Sequence, residues 1–505
     1  MKPDQIIDII NEAEKLFPVD EWMISDLHIW PVIRQILGDS LLGVFDTQTN
    51  KSLLSKFKKY SGMLYSLLYE FLQMIYITFL NTLYFKRSHP ADAVFFFNAN
   101  NRTKAGDTWF VKEAHPVMEE LKKRNISCRC IENVGINNFK KNRSEKSWLI
   151  PLTLYKKLYK IAVLFKKNDY PVNMKSFHDF ISFLLDRGID PSPYSIYRLK
   201  KFTAYLLYES RLLCNIFTKI KPRYVFIVCY YRFGWACNYT CYKQNIISVD
   251  IQHGVAGKLN YEYGRWTQVP AGGYELLPRY FMCWSRDDHN AISAWSSGNT
   301  YHDALITGNT WIDYWKYSRD DMVLRFDNVF RNFILKNNIK VFILFTHQIL
   351  YGFPEWIMQA IKSTPDYFWG MRMHPCSTSK EISILKRMIK ENRIGNIDYR
   401  FSSNIPLPAL LKHTNIHVTG WSAVVYEAEN YNIPSIVTHS IGASIYQTEI
   451  EKGICDTAYD KSGLFSKLSA ASGRARNKIN ETQEGINTLS KALDIILALK
   501  DHANE

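Results

Sequence analysis

YVFIVCYYRFGWACNYTCYKQNIISVDI, from Tyr224 to Ile251, contains one strand, one helix and a second strand. Tyr224-Val225-Phe226-Ile227-Val228 is a short run of β-branched and aromatic side chains with no polar face, which is how a strand buried on both sides reads. Gly234 to Gln244 follows as a helix, and Ile246-Ile247-Ser248-Val249-Asp250-Ile251 as the next strand. Strands that alternate with helices build a parallel sheet covered on both faces.

The alternation continues on either side. Upstream, Ala91 to Phe97 reads as a buried strand ending in the polar loop Asn98 to Asn101, Val111 to Arg124 as a helix and Ile126 to Ile131 as a strand, before a helix-rich insertion from Trp148 to Ile220. Downstream, Tyr280 to Trp284 is a strand, Asp288 to Trp295 a helix and Ala304 to Thr307 a strand. The pattern pauses between Gly308 and Asn338 and then restarts. Lys340 to Phe345, Tyr367 to Met373, Ile397 to Arg400, Ile416 to Val418 and Ser435 to Val437 read as strands, with helices at Glu355 to Lys362, Lys380 to Lys390 and Ala423 to Asn430. The fold class is therefore α/β, with two Rossmann-like domains whose strand ends line a cleft. We divide the chain into a helical N-terminal segment (1–90), a first Rossmann-like domain with a helical insertion (91–310), a second (311–475) and a C-terminal helix packing back on the first (476–505).

Composition narrows the partners. A hydrophobic fraction of 47% with 22% charged residues describes a folded protein. A net charge of +15 calls for an anionic partner. No nucleic-acid-binding signature or zinc-finger spacing accompanies it, so nucleic acid is not expected. The nine cysteines are scattered and odd in number, which suits a reducing compartment. Met1 to Pro18 lacks a basic region followed by an apolar run, so no cleavable signal peptide is expected, and the location expected is cytoplasmic.

Met63 to Phe85 is almost wholly apolar, between Lys56, Lys58 and Lys59 on one side and Lys86 and Arg87 on the other. It carries Glu70, Gln73 and Asn81, and a carboxylate at the centre of a bilayer costs about 2–3 kcal/mol. A core helix is the first reading, a helix lying on an anionic membrane surface the second, and a span the last.

Four clusters fall at strand ends, where open α/β sheets hold ligands. In Asp250-Ile251-Gln252-His253-Gly254, glycine turns the chain and leaves His253 at the mouth, either to take a proton from an acceptor hydroxyl or to tie down the turn. In Arg372-Met373-His374-Pro375, Arg372 and His374 share a face and His374 can hydrogen-bond a phosphate or a base carbonyl. In Val418-Thr419-Gly420-Trp421-Ser422-Ala423-Val424-Val425-Tyr426-Glu427-Ala428, a strand gives way at Gly420 to a helix starting near Ser422. Its first amides and the Ser422 hydroxyl suit a phosphate, and Glu427 suits ribose hydroxyls, unless the helix is simply capped with Glu427 in water. Thr346 and His347 end the strand that opens the second domain. Tyr261 and Trp266, in a Gly- and Tyr-rich loop, are expected to stack on acceptor sugars or to pack within the loop, with Gln252 beside them.

The order QHG (252–254), HP (374–375), TG-x-S (419–422) and Glu427 resembles the GT-B-fold transferases of bacterial surface-polysaccharide synthesis. The HP motif followed by a small hydroxyl at a helix start is similar to bacterial sialyltransferases and capsule Kdo transferases, which use CMP-sugars, and to CDP-glycerol glycerophosphotransferases of teichoic-acid synthesis. The chain departs from them in having Gln252 where the teichoic-acid pattern has tryptophan, and Ser422-Ala423 where paired serines are usual. The resemblance implies His253 as base with Asp250 the nearest acid on its loop, His374 and Pro375 on the nucleotide and Ser422 on phosphate. Arg372, Thr346, His347, Gly420 and Glu427 complete the implied donor site in the second domain.

The implied function is inverting transfer from a nucleotide sugar, CMP-linked such as Kdo or sialic acid, to a glycan or lipid-linked glycan of a surface polysaccharide or lipopolysaccharide. No metal and no cofactor are expected, since helix-start amides and basic residues stabilise the leaving phosphate in GT-B sites. Asp287-Asp288 reads as a helix start rather than a metal-binding DxD. A peripheral contact with the anionic inner membrane fits the charge. The alternatives are a CDP-alditol phosphotransferase, a sugar-nucleotide epimerase and a non-catalytic GT-B-fold component of a polysaccharide assembly complex.

Overall fold

The structure, a computed structural model, describes residues 3–42, 71–72, 74–82, 90–135, 143–152, 155, 170–254, 256–258, 260–348, 351–374, 377–473 and 484–498. Two compact units divide the chain. The first comprises Met1–Thr103, Thr108–Thr310 and Asn487–Glu505, the second Lys104–Asp107 and Trp311–Ile486.

The first unit is built on seven strands: β1 (Ala93–Asn98), β2 (Cys128–Asn133), β3 (Ser147–Ile150), β4 (Tyr224–Val228), β5 (Ile247–Ile251), β6 (Tyr280–Cys283) and β7 (Asp303–Ile306). They lie in the order β3-β2-β1-β4-β5-β6-β7, and every pairing is parallel. Parallel neighbours cannot be joined by a tight turn, so each connection crosses a face of the sheet, most often as a helix. Because the chain winds one way from β1 and the other way from β4, a crevice opens at their carboxyl ends. Ile251 of β5 is in register with Val228 of β4 and with Met282 of β6, so these strands end level and their loops start from one row.

The second unit repeats the plan with β8 (Val341–Thr346), β9 (Tyr367–Arg372), β10 (Ile397–Asp398), β11 (Ile416–Thr419), β12 (Ser435–Val437) and β13 (Cys455–Thr457). Their order is β10-β9-β8-β11-β12-β13, again all parallel. Thr346 is in register with Arg372 on one side and Thr419 on the other. The crevice of this sheet opens between β8 and β11.

Several elements differ from the sequence reading. Trp148, expected to begin a helical insertion, lies in strand β3, and Val111 ends a strand (Thr108–Val111) rather than starting the next helix, which runs His115–Lys123. The pause between Gly308 and Asn338 holds two helices, Thr310–Tyr317 and Asp321–Lys336. The second is capped by Asp320, whose side chain accepts the Met322 N–H at 2.8 Å, and buries Val323, Phe326 and Phe330 on one face. The N-terminal helices Pro3–Leu16 and Trp30–Leu41 are present, with an antiparallel pair, Met23–Ile24 and Leu27–His28, between them. Of Met63 to Phe85 only residues 71, 72 and 74–82 are described, all helical, and no helix among the described residues is long and apolar enough to cross a membrane.

The two N-terminal helices join the core of the first unit through a buried charge pair. Glu14, fully buried, accepts from the Arg34 guanidinium, from the Trp30 indole N–H at 2.9 Å and from the Thr267 N–H at 2.8 Å. Arg34 also donates to the Tyr261 and Gly264 carbonyls at 2.9 and 2.8 Å and lies over the Trp266 ring at 4.3 Å. The C-terminal helix Glu484–Ala498 covers the opposite core cluster with Leu489, Ala492, Leu493 and Ile496, and Arg124 donates to its Ser490 carbonyl at 3.0 Å.

Removing one partner of a fully buried pair leaves the other charge without compensation. Glu14→Ala is therefore expected to destabilise the first unit by about 3–5 kcal/mol, read as a lower denaturant midpoint by intrinsic fluorescence. A midpoint unchanged from the wild type would contradict the anchoring role.

Candidate functional site

In the first unit the chemistry gathers at the ends of β4 and β5. His253 is half-buried, with Nε2 at 3.2 Å from the Tyr231 hydroxyl and Nδ1 buried without a hydrogen-bond partner among the described residues. Burial, aided by the nearby positive charge of Lys112, lowers its pKa to about 4, so the imidazole is neutral at physiological pH. Tyr231 follows β4 on a tight turn in which Cys229 and Arg232 both adopt left-handed backbone angles, φ 73° and 55°. Such conformations cost on the order of 1 kcal/mol each for non-glycine residues. Two within four residues, at the edge of the sheet's crevice, mark a segment held in shape by its surroundings.

Asp250, expected beside His253, is fully enclosed within β5. It accepts from the Tyr230 N–H at 3.0 Å and from the Tyr263 hydroxyl at 2.9 Å, and burial raises its pKa to about 7. Its reach is to the tyrosines behind His253 and not to solvent. Gln252 is also committed. Its amide donates to the Gly254 carbonyl at 2.7 Å and to Asp288 at 3.2 Å, and its oxygen accepts the Trp284 N–H at 2.7 Å. It therefore ties β5 to the loop after β6 and offers little to an acceptor. Tyr261 and Trp266, expected as stacking platforms, are 8% and 5% exposed. Tyr261 donates to Asp39 at 2.8 Å and Trp266 lies under Arg34, so both pack against the N-terminal helices. Asp287 and Asp288 fall in the first turn of the helix Arg286–Ser296, capped by Ser285, as expected of a helix start.

In the second unit the level ends of β8, β9 and β11 bring Thr346, Arg372 and Thr419 into one row. Thr346 contacts His417 at 2.8 Å, and Thr419 donates to the Thr346 carbonyl at 3.0 Å, closing the seam between β8 and β11. His347 stands next in the chain. It is 2% exposed and stacks on Phe353 at 4.5 Å, and among the described residues neither ring nitrogen makes a hydrogen bond of normal geometry. Burial lowers its pKa, with the neighbouring His374 acting in the same direction and Glu381 and the Gly352 backbone opposing. His347 and His374 are thus brought together at the ends of β8 and β9. Pro375 lies outside the described residues.

Arg372 turns away from that pair. Its guanidinium donates to the Ser402 and Ile405 carbonyls at 2.8 and 2.7 Å. Burial lowers its pKa to about 10, against the opposing influence of Glu427. The two residues are electrostatic neighbours, but Arg372 is anchored to backbone. The helix expected from near Ser422 begins at Val424 and ends at Glu429, with Ala423 at its cap. Ser422 instead donates its N–H to the Thr419 hydroxyl at 3.1 Å, and its own hydroxyl accepts the Val424 N–H at 3.4 Å. Gly420 is required by space: a Cβ there would come within 2.9 Å of the Tyr351 ring, and one at Gly442 within 2.0 Å of the Gly420 carbonyl oxygen.

That packing reveals residues the sequence reading passed over. Tyr351, Trp421 and His439 form a half-buried aromatic group, with ring centroids 4.8–5.4 Å apart, at the ends of β11 and β12. Tyr351 donates to the Thr438 carbonyl at 2.9 Å. The signal available was position, since each of Trp421 and His439 follows a strand end within two residues. In the first unit Tyr231 is the comparable omission, three residues past β4.

No family model matches the chain, and no curated protein sequence matches it. Solved structures align over most of its length. UDP-GlcNAc 2-epimerase from Neisseria meningitidis, bound to UDP-GlcNAc, is 14% identical with a TM-score of 0.47, covering 81% of this chain and 100% of that one. The wall teichoic acid polymerase TagF is 11% identical with a TM-score of 0.42, covering 89% and 98%. A glycosyltransferase from Rickettsia africae ESF-5 is 12% identical with a TM-score of 0.39, covering 81% and 94%.

A buried imidazole with no hydrogen bond of normal geometry costs stability that a hydrocarbon ring of similar shape does not. His347→Phe is expected to raise the thermal stability of the protein, by about 1 kcal/mol. A loss of stability would mean that the imidazole has a structural partner.

Proposed function

We propose that the chain is a metal-independent, inverting glycosyltransferase of the GT-B type. In this reading it moves a sugar from a CMP-linked donor, such as Kdo or sialic acid, to a surface polysaccharide or lipopolysaccharide acceptor on the cytoplasmic side of the inner membrane. The observation that carries the reading is His347, at the crevice of a doubly wound sheet, a buried imidazole whose ring nitrogens, among the described residues, have no hydrogen bond of normal geometry and only the Gly352 backbone near them. An enclosed polar group left unsatisfied there is what a site awaiting a polar ligand looks like. In the sequence, His374-Pro375 followed by Thr419-Gly420 and Ser422 resembles the order found in transferases that use cytidine nucleotides, which supports a cytidine donor.

The roles divide by unit. In the second, His347 and His374 serve the nucleotide, Ser422 its phosphate and Glu427 the ribose. The Tyr351, Trp421 and His439 group supports this region, and Arg372 acts as a positioning residue through its grip on the Ser402 and Ile405 carbonyls. In the first, His253 accepts the proton of the acceptor hydroxyl as that oxygen bonds to the anomeric carbon and the bond from that carbon to the phosphate oxygen breaks, releasing CMP. Asp250 acts as a positioning residue, fixing Tyr230 and Tyr263 behind the base.

A thermal-shift screen against CMP, CDP, UDP, GDP and ADP tests the donor. A ligand at a hundred times its dissociation constant adds about 2.7 kcal/mol of stability. Stabilisation by CMP that is lost in His374→Ala is the expected outcome. A response to CDP with CMP inert would redirect the reading to a CDP-alditol donor, and a response to UDP alone would overturn the cytidine assignment.

The pH profile tests the base. His253 must be neutral to accept a proton, and its lowered pKa keeps it neutral down to about pH 4. The acid limb of kcat/KM should therefore fall nearer pH 4 than 6.5 and disappear with the residual activity of His253→Ala. A limb at 6.5 that persists in the variant would assign the base to another group.

A further inference from the structure

The helical residues 71, 72 and 74–82 include no charged side chain, and the two sides of this helix do different things. One side is docked. Ile77 is buried with Leu80 beside it, against Ala99, Val134 and Leu149. The Asn81 amide donates to the Leu149 carbonyl at 2.8 Å, and its oxygen accepts the Leu149 N–H at 2.9 Å. Leu149 lies in β3, the edge strand of the first sheet. Asn81 thus satisfies both backbone groups of an edge residue, as a further strand would, and fixes the helix to a rigid element.

The other side faces solvent. Phe71, Leu72, Ile75, Tyr76 and Phe79 are 53%, 56%, 51%, 52% and 58% exposed. Their spacing keeps them within an arc of about 140° of the helix circumference. Thr78 and Thr82 are exposed on the same side, but their hydroxyls donate back to the Met74 and Thr78 carbonyls, both at 2.8 Å. The two threonine hydroxyls of this face are therefore satisfied within the helix. A contiguous apolar surface of this kind marks an interaction site.

Charge selects the occupant. In the sequence the helix lies between Lys56, Lys58 and Lys59 and the pair Lys86 and Arg87, in a chain of net charge +15. Basic flanks around an apolar, aromatic helix face match the surface of an anionic bilayer, where the flanks meet headgroups and the rings enter the boundary beneath them. We propose that this helix seats the protein on an anionic phospholipid membrane, with Phe71, Ile75 and Phe79 inserted and Asn81 transmitting that attachment to the edge of the first sheet. This docking does not depend on the identity of the donor.

Co-sedimentation of the purified full chain with vesicles tests it, using phosphatidylcholine alone and phosphatidylcholine with about 30 mol % phosphatidylglycerol. The wild type should sediment with the anionic vesicles and hardly with the neutral ones. The exposed pair Ile75→Ser and Phe79→Ser, made together, should weaken that binding by about tenfold at unchanged thermal stability. Thr78→Val, which replaces a satisfied hydroxyl by a methyl group on the same face, should bind at least as well as the wild type. Three results would each overturn the proposal: a wild type that sediments with neither vesicle, a double variant that binds as the wild type does, or a wild-type dimer that the double variant converts to a monomer. The last would assign the face to a second copy of this chain.

Discussion

Every strand pairing in the two main sheets is parallel, and most of what else is true of this protein follows from that constraint. A parallel sheet cannot be closed by tight turns, so the chain must leave each strand at its carboxyl end, cross a face and return. All loops of one polarity then collect along one edge. In both sheets the reversal of winding lies between the first and fourth strands, and the residues of chemical interest border that reversal or the strand beside it. His253 follows β5, Tyr231 follows β4, His347 follows β8, and Thr419 ends β11. Register makes the edge level: Thr346 opposite Arg372 and Thr419, Ile251 opposite Val228 and Met282.

Much of this plan was legible in the amino-acid sequence, because a strand buried on both faces leaves a run of apolar residues that needs no partner to be recognised. Tyr224 to Val228 and Lys340 to Phe345 are such runs. Ser147–Ile150 was not legible, being four residues long beside a stretch rich in helix formers. The helix Asp321–Lys336 could have been found, from Asp320 as its cap and Val323, Phe326 and Phe330 at helical spacing. Strand order could not, since no local pattern states which strand lies beside which.

The site was legible as positions and less so as environments. His253, His347 and Thr346 stand at strand ends as the sequence suggests. That Gln252 is consumed by Gly254, Asp288 and Trp284, or that Arg372 is spent on two carbonyls, depends on groups brought together from up to 36 residues away. Buried charge is equally hidden. Arg102 pairs with Glu132 and Glu145, at 3.0 Å each, and sequence alone gives no sign that these three side chains share an enclosed site. Only the fold decides whether a polar residue faces water, a neighbour or nothing.

The helix Glu484–Ala498 returns to the core made by Phe95 and Tyr224, after the chain has passed through the whole of the second unit. Synthesis from the N-terminus therefore completes the two units in an order opposite to that in which they begin. The second is nearly continuous in the chain and can close as soon as it emerges from the ribosome, whereas the first must wait with one apolar surface uncovered until the last helix arrives. During that interval the half-covered sheet is the part of the molecule most open to misassociation, and a ribosome that stalls late would hold a chain with a finished second unit and an open first.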